Sequence, residues 1–227
     1  MRLIGIVGRV YKNVDNQNII QINENVRKMV MKYDDVTCIA ILPTESIDYL
    51  NCSQGTDGIN KEKLDYILDK CDGFIIPGGT YYYNYDEYVI NYAIENDKPL
   101  LGICLGFQHL CSKFAKNRVN FCMEKTVNLE NHMGNPNEYK HSVIIPENSL
   151  LYNIINKERI MVNSIHHDIV DFEMNTLVIN AVSEDGVIEG VEYPQKRFIL
   201  GVQWHPECLN DENSKKIIDR FMESLNV

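Results

Sequence analysis

One stretch decides the fold: residues 99–108, which read PLLGICLGFQ. In it, the apolar run from Leu100 to Ile103 is followed at once by Cys104 and then by residues with helical apolar spacing. This order predicts a buried strand that turns into a helix almost without a loop, with Cys104 at the corner. A sulfur at that corner lies at a helix N-terminus, where backbone N–H groups and the helix dipole favour a thiolate. The stretch therefore predicts a nucleophile elbow in which cysteine stands in place of serine.

The same strand-then-helix order extends over the first half of the chain. Apolar runs predict strands at 3–7, 36–42, 73–76 and 100–103. Apolar residues at helical spacing predict helices at 20–32, 61–70, 86–95 and 105–115, while the polar residues 44–60 indicate a loop. Alternation of this kind is typical of α/β proteins in which helices cover both faces of a mostly parallel sheet.

After about residue 118 the pattern changes from alternation to consecutive strands. The segment 128–139 is polar and turn-rich, and strands are predicted at 141–145, 159–163, 176–182, 187–192 and 198–203. The last two of these flank a turn-forming segment and predict an antiparallel hairpin, and an amphipathic helix follows at 212–225. Because no repeat, low-complexity segment or linker interrupts the chain, we expect residues 1–227 to form a single domain.

Composition argues against several classes of function. The formal net charge is −10, which disfavours attraction to nucleic acid or to an anionic membrane surface. The sequence shows neither a signal-peptide pattern nor an apolar run approaching the roughly 20 residues that span a bilayer. The seven cysteines are odd in number and contain no Cys-x-x-Cys pair, so free thiols in a reducing cytoplasm are expected.

Two further motifs follow predicted strand ends and belong at the same sheet edge as Cys104. Pro77-Gly78-Gly79 would let a backbone amide face a substrate without a Cβ in the way. His205-Pro206-Glu207 offers an imidazole that can take the thiol proton and a carboxylate that can orient the imidazole. Each motif alone also fits a purely structural role: Cys104 as a buried cysteine, Pro77-Gly78-Gly79 as a strand-to-helix turn, and His205 as a polar residue at a strand end. Their occurrence together favours a cysteine nucleophile.

This set of motifs resembles the class I glutamine amidotransferase family. Three further stretches resemble its gamma-glutamyl hydrolase branch, which includes the gamma-glutamyl-gamma-aminobutyrate hydrolases: VNSIHH at 162–167, DGVIEGVE at 185–192 and FILGVQWHPE at 198–207. The resemblance spans roughly residues 3–225. It implies a flavodoxin-like α/β fold with a mostly parallel central sheet, helices on both faces and additional antiparallel strands in the C-terminal half.

The resemblance also implies a role for nine residues. They are Cys104 as nucleophile, His205 as base and then acid, Glu207 as its orienting carboxylate, the amides of Gly79 and Leu105 as the oxyanion hole, and Gly78, Gln108, Ser164 and His166 as substrate-binding residues. No metal site is implied, and the six histidines show no metal-ligand spacing. His132 and His141 fall in a variable stretch and receive no role.

Some positions depart from the branch pattern. Leu105 stands where many branch members have arginine, residues 111–118 lack the usual glycine pair and Gln-Asp, and a tyrosine-rich segment, 81–85, replaces an Asp-containing loop. These stretches are expected to line the pocket for the leaving amine. The tyrosines either contact a larger leaving group or simply cover the sheet edge.

The expected reaction is hydrolysis of a small gamma-glutamyl conjugate, without a cofactor, through a gamma-glutamyl thioester. The first alternative is a glutaminase subunit that delivers ammonia to a separate synthetase partner, since the same active-site residues would serve both. The second is a non-catalytic binding or scaffold protein on the same fold, against which an intact triad argues. The sequence leaves the oligomeric state open, a homodimer included.

Overall fold

A computed structural model describes residues 1–47, 58–81, 83–114, 129–170 and 176–225. Its strands are β1 (Arg2–Val7), β2 (Arg9–Lys12), β3 (Asn18–Gln21), β4 (Val36–Ile41), β5 (Gly73–Ile76), β6 (Leu100–Ile103), β7 (His141–Ile144), β8 (Arg159–Val162), β9 (Val178–Ser183), β10 (Ile188–Glu192) and β11 (Ile199–Val202). Its helices are α1 (Glu24–Val30), α2 (Lys61–Leu68), α3 (Asn84–Glu95), α4 (Leu105–Phe114), α5 (Leu150–Ile155) and α6 (Glu212–Ser224), with a 3-10 helix at Leu129–His132.

One sheet of nine described strands organises these elements, in the order β4-β1-β5-β6-β11-β10-β9-β7-β8. The pairs from β4 to β11 are parallel, and those from β11 to β8 are antiparallel. The predicted fold class is therefore confirmed, as is the antiparallel hairpin of β10 and β11.

Helices cover both faces of the sheet because its parallel strands are apolar on both sides. Every residue of β5, β6 and β11 is buried. On one face Val26 of α1, Leu151 of α5 and Phe221 of α6 join a core cluster, and on the other face Leu64 of α2 and Leu110 of α4 join a second one. Continuous apolar strands of this kind require a layer of helices on each side.

The topology brings the three predicted motifs to one edge of the sheet. β5, β6 and β11 are parallel neighbours, with Ile76 opposite Gly102 and Val202 opposite Ile103. The segments that follow these strands therefore meet at their carboxyl ends, which is where α/β proteins place their ligand sites.

The structure corrects the predicted elements in two places. The helix predicted at 20–32 begins only at Glu24, because Ile20 pairs with Val10 in the β2–β3 hairpin and Asn23 caps the helix by accepting a hydrogen bond from the Asn25 amide. Helix α5 was not predicted, because six residues are too few to show a periodic pattern. Most of the predicted loop 44–60, and residues 115–128, lie outside the described residues.

Candidate active site

Cys104 lies at the corner between β6 and α4, as the sequence predicts. Its φ of +52° places it in the left-handed region that residues other than glycine rarely adopt. The backbone on both sides is fixed, because the Cys104 amide donates to the Val202 carbonyl at 2.8 Å and the Cys104 carbonyl accepts from the Gln108 amide at 3.0 Å. The side chain is 7% exposed. The strained backbone is thus held by β11 on one side and by the first turn of α4 on the other.

The two glycines beside Cys104 allow the close contact between strand and helix. A Cβ on Gly102 would lie 2.8 Å from the carbonyl group of Gly106, and a Cβ on Gly106 would lie 2.0 Å from the Ile76 carbonyl oxygen. Neither position has room for any other residue, since backbone cannot move aside as a flexible side chain can. The glycines therefore serve the geometry of the elbow.

His205 and Glu207 form a pair against Cys104. The Nδ1 atom of His205 lies 2.7 Å from Oε1 of Glu207, whose side chain is fully buried. The imidazole also lies close enough to Cys104 for the charge of that side chain to act on it. Burial lowers the pKa of His205, but the charges of Glu207 and Cys104 raise it by a larger amount. The pKa therefore lies well above its usual range.

Gly78 lies in the loop after β5 and packs closely against His205 and Cys104. A Cβ at Gly78 would lie 2.8 Å from Cε1 of His205 and 3.4 Å from Cβ of Cys104. The loop backbone therefore contacts both the imidazole and the nucleophile, which places Gly78 at the predicted site.

Asn163, to which the sequence analysis gave no role, fixes the backbone of His205. Its Oδ1 accepts from the His205 amide at 2.8 Å, and its Nδ2 donates to the His205 carbonyl at 2.9 Å. Asn163 is fully buried and directly follows β8. One side-chain amide thus holds both polar groups of the backbone that carries the imidazole.

Gly79 and Leu105, whose amides are the predicted oxyanion hole, are neighbours. A Cβ on Gly79 would lie 3.1 Å from Cδ2 of Leu105. Leu105 is the first residue of α4, so its N–H has no acceptor within the helix. Among the described residues, the Gly79 N–H likewise has no backbone acceptor. Both amides are available to a ligand at the sheet edge.

Arg9 orients the loop that carries Gly79. Its Nε donates to the carbonyls of Pro77 at 3.0 Å and Gly78 at 3.1 Å, and its Nη2 also contacts the Pro77 carbonyl. In a trans peptide the carbonyl oxygen and the following N–H point in opposite directions. Arg9 therefore holds the Gly79 N–H on the side away from its guanidinium.

Arg9 is itself held by a buried acid. Its Nη1 lies 2.6 Å from Oδ1 of Asp86, and Oδ2 of the same carboxylate lies 3.3 Å from Nε2 of His109. Burial raises the pKa of Asp86, but Arg9 and His109 hold it below its usual range. The sequence analysis missed this network because its members are far apart in the chain and belong to no motif.

The remaining predicted substrate-binding residues have protein partners. Nε2 of Gln108 donates to Oε1 of Gln203 at 3.0 Å and to the Asp168 carbonyl at 3.3 Å. The Ser164 hydroxyl donates to the His132 carbonyl at 3.0 Å, and Nε2 of His166 lies 3.2 Å from Nδ1 of His132. Gln108 lies one helical turn after Cys104, whereas His166 belongs to a second cluster that Ser164 contacts through the His132 carbonyl.

That second cluster consists of His132, His141, His166 and Glu189, whose potential ligand atoms all lie within 4.8 Å of one another. Burial raises the pKa of Glu189, but its contacts with His132 and His166 lower it to about 2. The carboxylate is therefore ionised. A set of three imidazoles and a carboxylate can hold a metal ion, although the spacing of these residues in the sequence gave no sign of it.

The tyrosine-rich segment divides between core and surface. Tyr85 is fully buried and its hydroxyl contacts the Gly8 carbonyl, Tyr83 is 6% exposed, and Tyr81 is 47% exposed. Tyr82 lies outside the described residues. The burial of Tyr83 and Tyr85 supports the interpretation that they cover the sheet.

In the part of the chain that the structure describes, no helix combines the length and the apolar character needed to cross a bilayer.

Comparison with known proteins identifies relatives across most of these elements. A glutamine amidotransferase-like protein of Rickettsia prowazekii is 28% identical over 211 residues, covering 66% of this chain and 75% of its own. The CTP synthase of Borreliella afzelii is 29% identical over 181 residues, covering 66% of this chain but only 34% of its own. The chain therefore spans about a third of the CTP synthase that it matches.

Solved structures show the same fold. The glutaminase domain of Trypanosoma brucei CTPS with bound acivicin superposes with a TM-score of 0.63 at 20% identity, covering 99% of this chain and 94% of that one. A GMP synthase protein of Thermoplasma acidophilum gives a TM-score of 0.62 at 17% identity with the same coverage. The family model described as Peptidase C26 matches residues 84–207, more than half of the sequence. The chain belongs to the Peptidase C26 family, in agreement with the resemblance to class I glutamine amidotransferases.

Proposed function

We propose that the protein hydrolyses the gamma-glutamyl amide bond of a small conjugate and releases glutamate and an amine. One observation carries the proposal: Cys104 occupies a positive-φ corner at the start of α4, and Gly78 lies against both Cys104 and the imidazole of the His205–Glu207 pair. A thiol in that position has a base, an orienting carboxylate and free backbone amides around it, which is the arrangement that nucleophilic catalysis requires.

The reaction begins when the Cys104 thiolate attacks the delta carbonyl of the glutamyl group. The resulting oxyanion is stabilised by the N–H groups of Gly79 and Leu105. His205 then protonates the departing amine, and its raised pKa favours the protonated form that this acid step needs. Water activated by the now neutral His205 adds to the thioester, and collapse of the second tetrahedral intermediate expels the thiolate and releases glutamate. Glu207 holds the imidazole by its Nδ1 atom throughout.

Family membership and the relatives support a substrate whose cleaved bond is an amide of the glutamine type, with a glutamyl group as the acyl group. The Peptidase C26 model and the glutamine amidotransferase-like relative agree on this class of chemistry. The leaving amine is inferred from the sequence resemblance to the hydrolase branch alone. Leu105 lies beside Gly79 where many members of that branch have arginine, so the leaving amine is expected to differ from aminobutyrate.

A second candidate function is a glutaminase subunit that passes ammonia to a separate synthetase. It is supported by the similarity to CTP synthase over about a third of that enzyme, and by the likeness to the solved GMP synthase structure. The same triad would serve it. The two candidates differ only in what leaves from the acyl group.

The test is glutamate release by purified protein from glutamine and from a series of gamma-glutamyl amines of increasing size. The hydrolase proposal expects turnover of at least one conjugate faster than turnover of glutamine. The glutaminase alternative expects activity confined to glutamine, stimulated by a synthetase. Cys104→Ala is the control in both cases, and glutamate release that survives this substitution would overturn both.

Covalent labelling tests whether the site is catalytic at all. An electrophile such as acivicin should modify Cys104 ahead of the other cysteines among the described residues, because burial raises the pKa of the Cys38, Cys71, Cys111 and Cys208 thiols. If peptide mapping finds Cys104 no more reactive than Cys111, a binding or scaffold protein becomes the better interpretation.

A further inference from the structure

Three buried side chains and one half-buried side chain, that of His141, converge on one point beside the sheet. Oε1 of Glu189 lies 3.2 Å from Nδ1 of His132, 3.4 Å from Nε2 of His166 and 3.6 Å from Nε2 of His141. The nitrogens of His132 and His166 are 3.2 Å apart. Four zinc ligands at about 2.0–2.1 Å from the ion in a tetrahedron are separated by roughly 3.3 Å. These four separations lie close to that value, and the remaining pairs of ligand atoms lie within 4.8 Å of each other.

The opposite ring nitrogens fix the tautomers of the three histidines. Nε2 of His132 lies 3.1 Å from the Asp185 carboxylate, Nδ1 of His166 lies 3.0 Å from the Asp168 carbonyl, and Nδ1 of His141 lies 3.3 Å from the Ser142 carbonyl. Each of these acceptors requires an N–H. In a neutral ring the other nitrogen is then a lone pair.

When all three rings are neutral, three lone pairs and one carboxylate therefore point at the same volume. Such a set repels itself unless a cation lies between its members. Hydrogen bonds from ring nitrogens to carboxylates and backbone carbonyls are also the interactions that orient metal-bound histidines in proteins.

Among the described residues, only the three imidazoles form ion pairs with this carboxylate. Glu189 is fully buried, and neither of its oxygens has a hydrogen bond of acceptable geometry within the described residues. A buried carboxylate without such bonds is costly unless it coordinates a metal or is closely paired.

The backbone is shaped to bring the four residues together. Glu189 lies where β10 shifts register against β9, and a bulge of this kind redirects a side chain. The segments of His132 and His166 are joined by the His166 amide, which donates to the His132 carbonyl at 3.0 Å, and by the bridge between Met133 and Ile165. His141 is the first residue of β7. The fold itself therefore builds the cluster.

From this geometry we propose that His132, His141, His166 and Glu189 form a four-coordinate Zn²⁺ site. Three imidazoles and one carboxylate suit zinc, whereas Mg²⁺ and Ca²⁺ prefer oxygen ligands. All four positions of the tetrahedron are filled by protein, which is the pattern of a structural rather than a catalytic ion.

The ion would tie the end of the 3-10 helix, at His132, and the loop after β8 to the sheet. This loop includes Asp168, whose carbonyl accepts from both His166 and Gln108. Zinc would thereby hold the neighbour of Gln108 in place next to the candidate active site. The metal proposal rests on these contacts and not on the reaction proposed for Cys104.

The test is the metal content and Zn²⁺ affinity of the purified full-length protein. One equivalent of zinc per chain is expected after exhaustive dialysis, and the ion should return with the same stoichiometry after removal by a chelator. The measurement is repeated in a Cys104→Ala, Cys208→Ser background, because those thiols lie near His205 and offer zinc another place to bind. Co²⁺ added to the metal-free protein should show the intense visible bands of four-coordinate cobalt.

Substitutions separate a metal site from a hydrogen-bonded network. Glu189→Gln and His141→Ala should weaken Zn²⁺ binding at least 100-fold, and Asp185→Asn, which removes only an outer contact, should weaken it about 10- to 100-fold. His167→Ala is the matched control, because it removes an exposed histidine from the same loop and should bind zinc like the parent. Circular dichroism identifies variants that have not folded, and these are set aside. Zinc should raise the melting temperature of the parent protein but not that of folded Glu189→Gln. Substoichiometric zinc in the parent, or equal affinity in Glu189→Gln and His167→Ala, would overturn the proposal.

Discussion

Asn163 holds His205 by both polar groups of its backbone, at 2.8 Å from the amide nitrogen and 2.9 Å from the carbonyl oxygen. The side chain that performs the proposed acid–base chemistry therefore depends on a residue 42 positions earlier in the chain. Because Asn163 directly follows β8 and His205 follows β11, the contact links the antiparallel part of the sheet to the candidate active site.

Asn163→Asp keeps the acceptor for the His205 amide but loses the donor to its carbonyl. We expect a fall in kcat of about 10- to 100-fold, since a displacement of about 1 Å in a reacting group can cost that much. Asn163→Ala loses both bonds and should in addition lower the free energy of unfolding by about 1–3 kcal/mol. Steady-state kinetics and chemical denaturation of both variants check this. Unchanged kcat in Asn163→Ala would mean that the clamp does not position the imidazole.

Gly78 and Gly106 are expected to fail in different ways when each is replaced by alanine. The Cβ of Gly78→Ala pushes on the His205 ring, whereas that of Gly106→Ala meets the Ile76 backbone carbonyl. Gly78→Ala should therefore lose more than about 10-fold in kcat with little change in melting temperature. Gly106→Ala should unfold at least about 1–3 kcal/mol more easily, as overpacked cores do. Melting curves alongside kinetics decide, and equal melting temperatures for the two variants would contradict the assignment.

The positive φ of Cys104 predicts an unusual effect of glycine at the nucleophile. Cys104→Ala removes the sulfur but keeps a Cβ in the left-handed region, whereas Cys104→Gly removes the sulfur and the strain. Both variants should be inactive. Cys104→Gly should be more stable than Cys104→Ala by up to about 1 kcal/mol, measured by denaturant unfolding. A less stable glycine variant would show that the corner is not strained.

Arg9 should contribute to both stability and catalysis. Arg9→Met leaves the fully buried Asp86 without its closest cation, and breaking a buried pair in this way typically costs about 3–5 kcal/mol. Arg9→Met combined with Asp86→Leu should recover part of that loss, because it removes the unpaired charge. Activity should stay low in the double variant, since nothing then fixes the Gly79 amide. Recovery of stability together with full activity would exclude the proposed orienting role of Arg9.

The features that could be predicted from the sequence are those with a local signature. An apolar run followed by Gly-x-Cys-x-Gly is enough to place Cys104 at a strand-to-helix corner, and His205 and Glu207 follow a recognisable strand end. The β2–β3 hairpin was not predicted, although its turn runs through Asn13 and the positive-φ Asn16, a residue type that tolerates that conformation.

The features that could not be predicted depend on contacts between distant parts of the chain. Arg9 and Asp86 are 77 residues apart, and neither lies in a motif. The residues around Glu189 come together because β7 and β10 lie on either side of β9 in the sheet and because β10 is bulged. Sequence spacing carries no information on such contacts, since it reflects only periods of two to four residues along a single element.

The pair of His205 and Glu207 also couples stability to pH. The pKa of His205 is raised above its ordinary value of 6.5 in the folded protein, chiefly by the charge of Glu207 acting against burial. A group whose pKa is raised on folding stabilises the folded state fully at a pH below its unfolded pKa. That contribution is lost as the pH rises through the folded pKa.

Glu207→Gln should therefore be most destabilised, relative to the parent, between about pH 5 and 6.5, with the difference shrinking as the pH rises. The substitution keeps the shape of the side chain but removes the charge that raises the His205 pKa, so NMR titration of the His205 ring should show a lower pKa. Denaturant unfolding of both proteins from about pH 5 to about pH 9 measures how the difference in the free energy of unfolding changes as the pH rises above the ordinary pKa of histidine. Glu62→Gln, which makes the same change at an exposed position on α2, is the control and should follow the parent at every pH. A stability difference for Glu207→Gln that is independent of pH would show that Glu207 acts on His205 through packing and not through its charge.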